Sequence, residues 1–179
     1  MAGVGNVLCS DDGFGSEVAA RLLARPGEAP AGVEVVDVGI RGLHLAYRLL
    51  DGYDVLLIVD VTRRGAAPGS LCLLEHDLAA PAAAELDPHG MSPDAVLALL
   101  DGLARDTAAG AGARDVVGRV LVLGCEPAAL DPGMGLSPPV HAAVDEAVAA
   151  VGRVLARLLA GQDFEATAVA EERKEEVAR

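Results

Sequence analysis

The sequence predicts an α/β fold, a three-layer α/β/α sandwich around a mainly parallel, twisted sheet with one antiparallel strand at its edge. Three observations carry this expectation. Strand-like and helical patterns alternate along the chain. The run Tyr53–Val61, Y-D-V-L-L-I-V-D-V, is almost continuously apolar, as a parallel strand covered on both faces requires. A glycine-rich turn, Gly3–Gly15 (G-V-G-N-V-L-C-S-D-D-G-F-G), runs straight into a helical pattern near Glu17, the arrangement of a strand-to-helix junction at the carboxyl edge of an open sheet.

Each element follows from local pattern. Only Met1 and Ala2 precede the glycine turn, so a first strand is expected either to be cut short or to begin upstream of Met1. The following helix places Val18, Leu22 and Leu23 on one face and stops before Pro26-Gly27. Val33–Val38 predicts a strand, and Leu43, Tyr47 and Leu50 mark the apolar stripe of a second helix. After the strand that ends at Asp60, T-R-R-G-A-A-P-G (Thr62–Gly69) is a loop and Ser70–Leu74 a short edge strand. Glu75–Met91 is long for a connection in a compact domain, which points to function. Ser92 as N-cap and Pro93 at the first helical position open a helix with Val96, Leu97, Leu100 and Leu103 inward. Ala108–Arg114 predicts a surface linker, and Val116–Leu123 the last strong strand. Pro138–Leu159 predicts the longest helix, with Val140, Val144, Val148, Val151, Leu155 and Leu158 at three- and four-residue steps. Residues 1–160 are thus expected to form one α/β domain. Residues 161–179, rich in Glu with Arg173 and Lys174, are expected to form a charged tail, disordered or weakly helical.

Composition narrows the partners. The chain is 52% hydrophobic with two Phe, two Tyr and no Trp, so the core must be built from Ala, Val and Leu. A formal net charge of −13 argues against nucleic acid and anionic membranes, which demand clustered Lys and Arg. Cys9, Cys72 and Cys125 form no C-x-x-C pair, and their odd number suggests no disulfide framework. No signal-peptide pattern is present and no apolar run approaches the roughly 18 residues of a membrane span. The expectation is a soluble, cytoplasmic monomer.

The chemistry points to a cation. Phosphate binding at the glycine turn is a poor fit: Gly3, Gly5 and Gly13 do not make G-x-G-x-x-G, no P-loop Lys follows, and Asp11 and Asp12 repel phosphate. No H-E-x-x-H is present, and no Ser lies in a G-x-S-x-G setting. Three polar residues do fall where the chain leaves its strands: Asp12 in the first loop, Asp60 at the end of the third strand, and His89 after the fourth. Such exits gather at one edge of a parallel sheet, and two carboxylates with one imidazole make a three-ligand site for a divalent metal. Competing readings exist: Asp60 capping the next loop, and Asp11 and Asp12 capping the helix N-terminus. Cys9 fits a bystander better than a soft sulfur ligand, because nothing basic nearby favours its thiolate.

These residues sit in segments that resemble a known family. The opening Gly3–Gly15, D-V-G-I-R-G (Asp37–Gly42), V-L-L-I-V-D (Val55–Asp60), A-A-P-G (Ala66–Gly69), D-P-H-G-M-S (Asp87–Ser92), L-G-C-E-P (Leu123–Pro127) and G-L-S-P-P-V (Gly135–Val140) run in the order of the hydrogenase maturation endopeptidases. The resemblance implies a phosphorylase/hydrolase-like sandwich and an aspartyl-type or metal-dependent endopeptidase. Its substrate would be the large-subunit precursor of a [NiFe] hydrogenase, trimmed at its C-terminus once nickel has been inserted. It also implies that Asp12, Asp60 and His89 are the catalytic and metal-binding residues, with nickel brought by the substrate. Asp12 stands where some members carry Glu. Members also carry a longer apolar run before the glycine turn; a shortened central strand exposes ladder groups on its neighbours at a cost of several kcal/mol. Two further functions stay open at this point, a nickel-responsive binding or chaperone module that does not cut, and an acidic domain whose carboxylates only cap helices.

Overall fold

The computed structural model describes residues 1–25, 30–76, 78, 93–107 and 112–162. Five strands, β1 (Ala2–Val4), β2 (Val36–Gly39), β3 (Tyr53–Val61), β4 (Leu71–His76) and β5 (Val117–Cys125), form one sheet in the order β2-β1-β3-β5-β4. All neighbours are parallel except β4, which runs antiparallel to β5 at the edge. The helices are α1 (Phe14–Leu23), α2 (Gly42–Leu49), α3 (Pro93–Thr107), the single turn α4 (Ala113–Val116) and α5 (Pro138–Leu159). The α/β/α expectation therefore holds, antiparallel edge strand included. None of the described helices is long and apolar enough to cross a membrane.

Alternation along β3 makes the two cores. Leu57 and Val59 point into one cluster with Phe14 and Val18 of α1 and Val140, Val144 and Val151 of α5. Leu56 and Ile58 point into the other, with Leu45, Ala46 and Leu49 of α2 and Val96 and Leu100 of α3. A period of two along a strand separates these sets, so one apolar run supplies both faces.

Several sequence expectations need correction. β2 starts at Val36 rather than Val33, its ladder with β1 opening at the Ala2–Val36 pair. Strand β4 runs on to His76, so Glu75 belongs to the sheet and not to the long connection. Val116 lies in α4, where Asp101 Oδ1 accepts the N–H of Ala113 at 2.6 Å and turns the end of the expected linker into helix. On α1 Val18 and Leu22 face inward as expected, joined by Phe14 and Ala19, while Leu23 is 51% exposed. On α2 only Leu50 of the expected stripe packs against the core, partly buried; Leu45, Ala46 and Leu49 are buried while Leu43 and Tyr47 are 50% and 54% exposed. Both stripes of α2 have helical spacing, and packing selects the other one.

The expected short first strand is central, pairing with β2 on one side and β3 on the other. It reaches only Ile58 and Val59 of β3; beside Tyr53 and Val55 lies a groove of about 740 Å³ that Val33, Glu34, Leu155 and Leu158 also line. The Met1 ammonium donates to the Glu34 carbonyl at 2.6 Å at the end of this groove, where burial lowers its proton affinity against the opposing pull of Glu34.

Two glycines let α1 lie directly on the sheet. A Cβ on Gly15 would stand 2.1 Å from the Val59 carbonyl oxygen and 2.2 Å from that of Val4, and one on Gly3 would stand 2.2 Å from the Gly15 oxygen. The colliding atoms are backbone, of the central strands and of α1 itself, and cannot rotate away. Gly15→Ala is expected to destabilise the domain by about 3 kcal/mol or more, read as a lowered midpoint in chemical denaturation.

Candidate active site

The loops leaving β1, β2, β3 and β5 meet at the carboxyl edge of the sheet. The first loop turns at Ser10, whose backbone is left-handed (φ +51°). Ser10 is held there by its N–H to the Gly133 carbonyl (2.8 Å) and its hydroxyl to the Asp131 carbonyl (2.9 Å). A one-turn 3-10 helix, Ser10–Gly13, then presents Asp11 and Asp12 in opposite roles.

Asp11 is fully buried. Its carboxylate accepts the N–H groups of Ala128 (2.8 Å), Ala129 (3.0 Å) and Ser137 (2.6 Å) and the Ser137 hydroxyl (2.9 Å). Burial pushes its proton affinity up, but these four donors outweigh it and hold the carboxyl below the ordinary aspartate range. Asp11 thus ties the first loop to the loop before α5. Asp12 is half-buried, and its Oδ2 accepts the Asn6 N–H at 2.8 Å. Neither carboxylate caps α1, whose N-cap is Gly13 without a side-chain bond.

Asp60 ends the buried run of β3, which packs against the 3-10 turn. Its Oδ1 accepts the Val61 N–H at 2.7 Å. Desolvation pushes its carboxyl up to about 7 against that bond, and the charge of Asp12 adds to the rise. Two of the three site residues expected from sequence, Asp12 and Asp60, are therefore brought within electrostatic reach of each other. His89 lies outside the described residues. Among the described residues no three His, Cys, Asp or Glu side chains cluster tightly enough to hold a metal ion.

Sequence reasoning missed the carboxylates that build this edge. Glu126 is buried, and its carboxylate accepts the N–H groups of Arg64 (2.7 Å), Gly65 (3.2 Å) and Ala66 (3.2 Å), clamping the loop that follows Asp60. Asp37 Oδ1 accepts the Ser16 hydroxyl (2.8 Å) from α1 and the Gly39 N–H (3.1 Å). Gly39 (φ +56°) in turn accepts the Gly5 N–H on its carbonyl at 3.1 Å, joining the loops after β1 and β2. The one available signal was that Asp37 and Glu126 fall inside D-V-G-I-R-G and L-G-C-E-P. All three cysteines are free. Burial pushes the Cys125 thiol up to about 12 and raises that of Cys72, so neither is a thiolate at neutral pH.

Fold and site define an α/β/α sandwich whose carboxyl edge gathers carboxyl groups on clamped loops. The chain belongs to the hydrogenase maturation protease family, whose model, described as HycI, matches residues 17–154. Asp60 and His89 lie within the matched span and Asp12 before it. The hydrogenase expression/formation protein HupD of Rhodobacter capsulatus is 32% identical over 158 residues, covering 87% of this chain and 70% of that protein. HoxM of Cupriavidus necator is 34% identical over 152 residues, covering 82% and 68%. Among solved structures, the hydrogenase maturating endopeptidase HybD from E. coli superposes with a TM-score of 0.64 at 27% identity, over 95% of this chain and 96% of that one. A hydrogenase 2 maturation peptidase from a Thaumarchaeota archaeon gives 0.59 at 29% identity, over 86% and 95%. Membership makes the chain a peptidase.

Two predictions follow from the carboxylates. Asp11→Ala leaves three backbone N–H groups and a hydroxyl buried without their acceptor, and is expected to cost about 3 kcal/mol in denaturant titration. Asp60 works in the opposite sense. Its proton affinity is raised on folding, so its contribution to stability is greatest at low pH and is lost as pH rises from the ordinary aspartate range through about 7. Asp60→Asn is expected to stabilise the metal-free protein by roughly 2 kcal/mol at pH 8, a gain that shrinks toward pH 5. Denaturation curves of both forms at the two pH values measure it.

Proposed function

We propose that this chain is an endopeptidase that removes the C-terminal extension of a [NiFe]-hydrogenase large-subunit precursor after nickel insertion, acting as a cytoplasmic monomer. The observation that carries this reading is the convergence of Asp12 and Asp60 at one edge of the sheet, from loops more than forty residues apart in sequence. Neither carboxylate has an ion-pair partner among the described residues: Asp12 accepts one backbone N–H from Asn6, Asp60 one from Val61. A pair of carboxylates held apart from Arg and Lys is a site for an incoming cation.

In this proposal Asp12, Asp60 and His89 coordinate the outer side of the nickel carried by the precursor. Carboxylate oxygen and imidazole nitrogen are both donors that a divalent transition metal accepts. Holding that metal fixes the peptide bond beside it, so position is supplied by the substrate's own ion and cleavage waits until the ion is loaded. Hydrolysis then breaks one amide, water giving OH to the acyl carbon and H to the departing nitrogen. The loop after β2, Gly39–Gly42, lies beside the first loop and is placed to meet the same substrate.

Asp60→Ala and His89→Ala are each expected to lower the rate of release of the C-terminal peptide from nickel-loaded precursor by at least about a hundredfold, with an unchanged far-UV spectrum. Normal processing by either variant would overturn the assignment. Binding of the precursor by the unaltered chain without any peptide release would point instead to a module that does not cut.

A further inference from the structure

The exposed apolar residues are unevenly placed. Eight large hydrophobic side chains stand at least half out of the fold among the described residues, and six of them, Val7, Leu8, Ile40, Leu43, Tyr47 and Met134, belong to three neighbouring segments. The other two, Leu23 and Leu159, end α1 and α5. Backbone bonds join the three segments: the Gly5 N–H to the Gly39 carbonyl at 3.1 Å, and the Gly133 N–H to the Leu8 carbonyl at 2.9 Å. The first segment also carries the Asn6 N–H that holds Asp12. Single exposed apolar residues are ordinary, but a contiguous group marks a surface that another molecule covers.

We infer that Val7, Leu8, Ile40, Leu43, Tyr47 and Met134 form an apolar collar beside Asp12 that docks the folded body of the precursor rather than its C-terminal tail; the identity of the partner rests on the function proposed above. Met134 is 84% exposed and Ile40 63%, so the collar is an open surface, shaped for another surface rather than for a small molecule. Its continuity with the edge that carries Asp12 means that whatever covers it also brings its own atoms to Asp12. A second copy of this chain is a poor occupant, since each copy carries a formal net charge of −13 and self-association would bring these charges together. The collar thereby sets specificity: an isolated tail peptide has no surface with which to cover it.

The test uses the full chain with Leu8→Asp, Leu43→Asp and Met134→Asp, and Leu23→Asp as a control away from the collar. With nickel-loaded full-length precursor, each collar variant is expected to raise KM at least about tenfold with kcat held within about twofold, equivalent to about 1.4 kcal/mol of docking. The control keeps both values. Leu43→Ser serves in place of any Asp variant that loses its far-UV spectrum. Dissociation constants for the precursor, measured in an Asp60→Ala background that does not process, should shift by the same factor. Processing by the unaltered chain with unchanged KM in all collar variants overturns the collar and leaves the proposed function standing. Binding lost in the collar variants, with no cleavage by the unaltered chain, leaves the collar and overturns the function. Sedimentation showing a dimer of the unaltered chain that Leu43→Asp dissociates also overturns the collar.

Discussion

Everything at the carboxyl edge of the sheet depends on how closely α1 lies against the sheet's centre. Gly15 sits where any side chain would strike the carbonyls of Val4 and Val59, and Gly3 faces it from β1. With no Cβ at either place, the first helix begins directly above the two central strands, and the short turn before it must hang over their carboxyl ends. That sets the turn carrying Asp12 against the strand that ends near Asp60. A side chain at either glycine would lift the helix and take Asp12 with it, so the site's geometry is set by the absence of atoms.

The second layer of the design is a set of carboxylates that bind backbone. Asp11, Asp37 and Glu126 each accept amide N–H groups from a loop other than their own or from the turn they begin. Loops rarely satisfy their own backbone, and a buried acidic oxygen is a strong acceptor that holds several donors at once. In a chain with few aromatic residues, these ties give the edge a rigidity that side-chain packing does not supply there. They also explain why acidic residues crowd one end of the molecule: three of them hold backbone.

Much of this was legible in the sequence, and the failures have physical causes. The apolar run to Asp60, the glycine turn and the long final helix gave the layers and the edge, because burial on both faces and backbone freedom both leave compositional marks. The inward face of α2 was not legible: Leu43 and Tyr47 repeat at the same helical spacing as Leu45, Ala46 and Leu49, and only the sheet's position decides between them. Asp11 and Asp12 are adjacent and chemically identical in one dimension. What separates them is a loop more than a hundred residues away, Ala128 to Ser137, whose amide donors carry no residue signature. Glu126 was hidden for the same reason.

The ties made by Asp11 and Glu126 have a mechanical consequence. Amide protons in loops ordinarily exchange with solvent quickly, yet those of Ala128, Ala129 and Ser137 end on the Asp11 carboxylate and those of Arg64, Gly65 and Ala66 on that of Glu126. Opening fluctuations in these two loops should therefore be suppressed, with their amide protons exchanging as slowly as those of a strand. The loops at this end behave as extensions of the sheet.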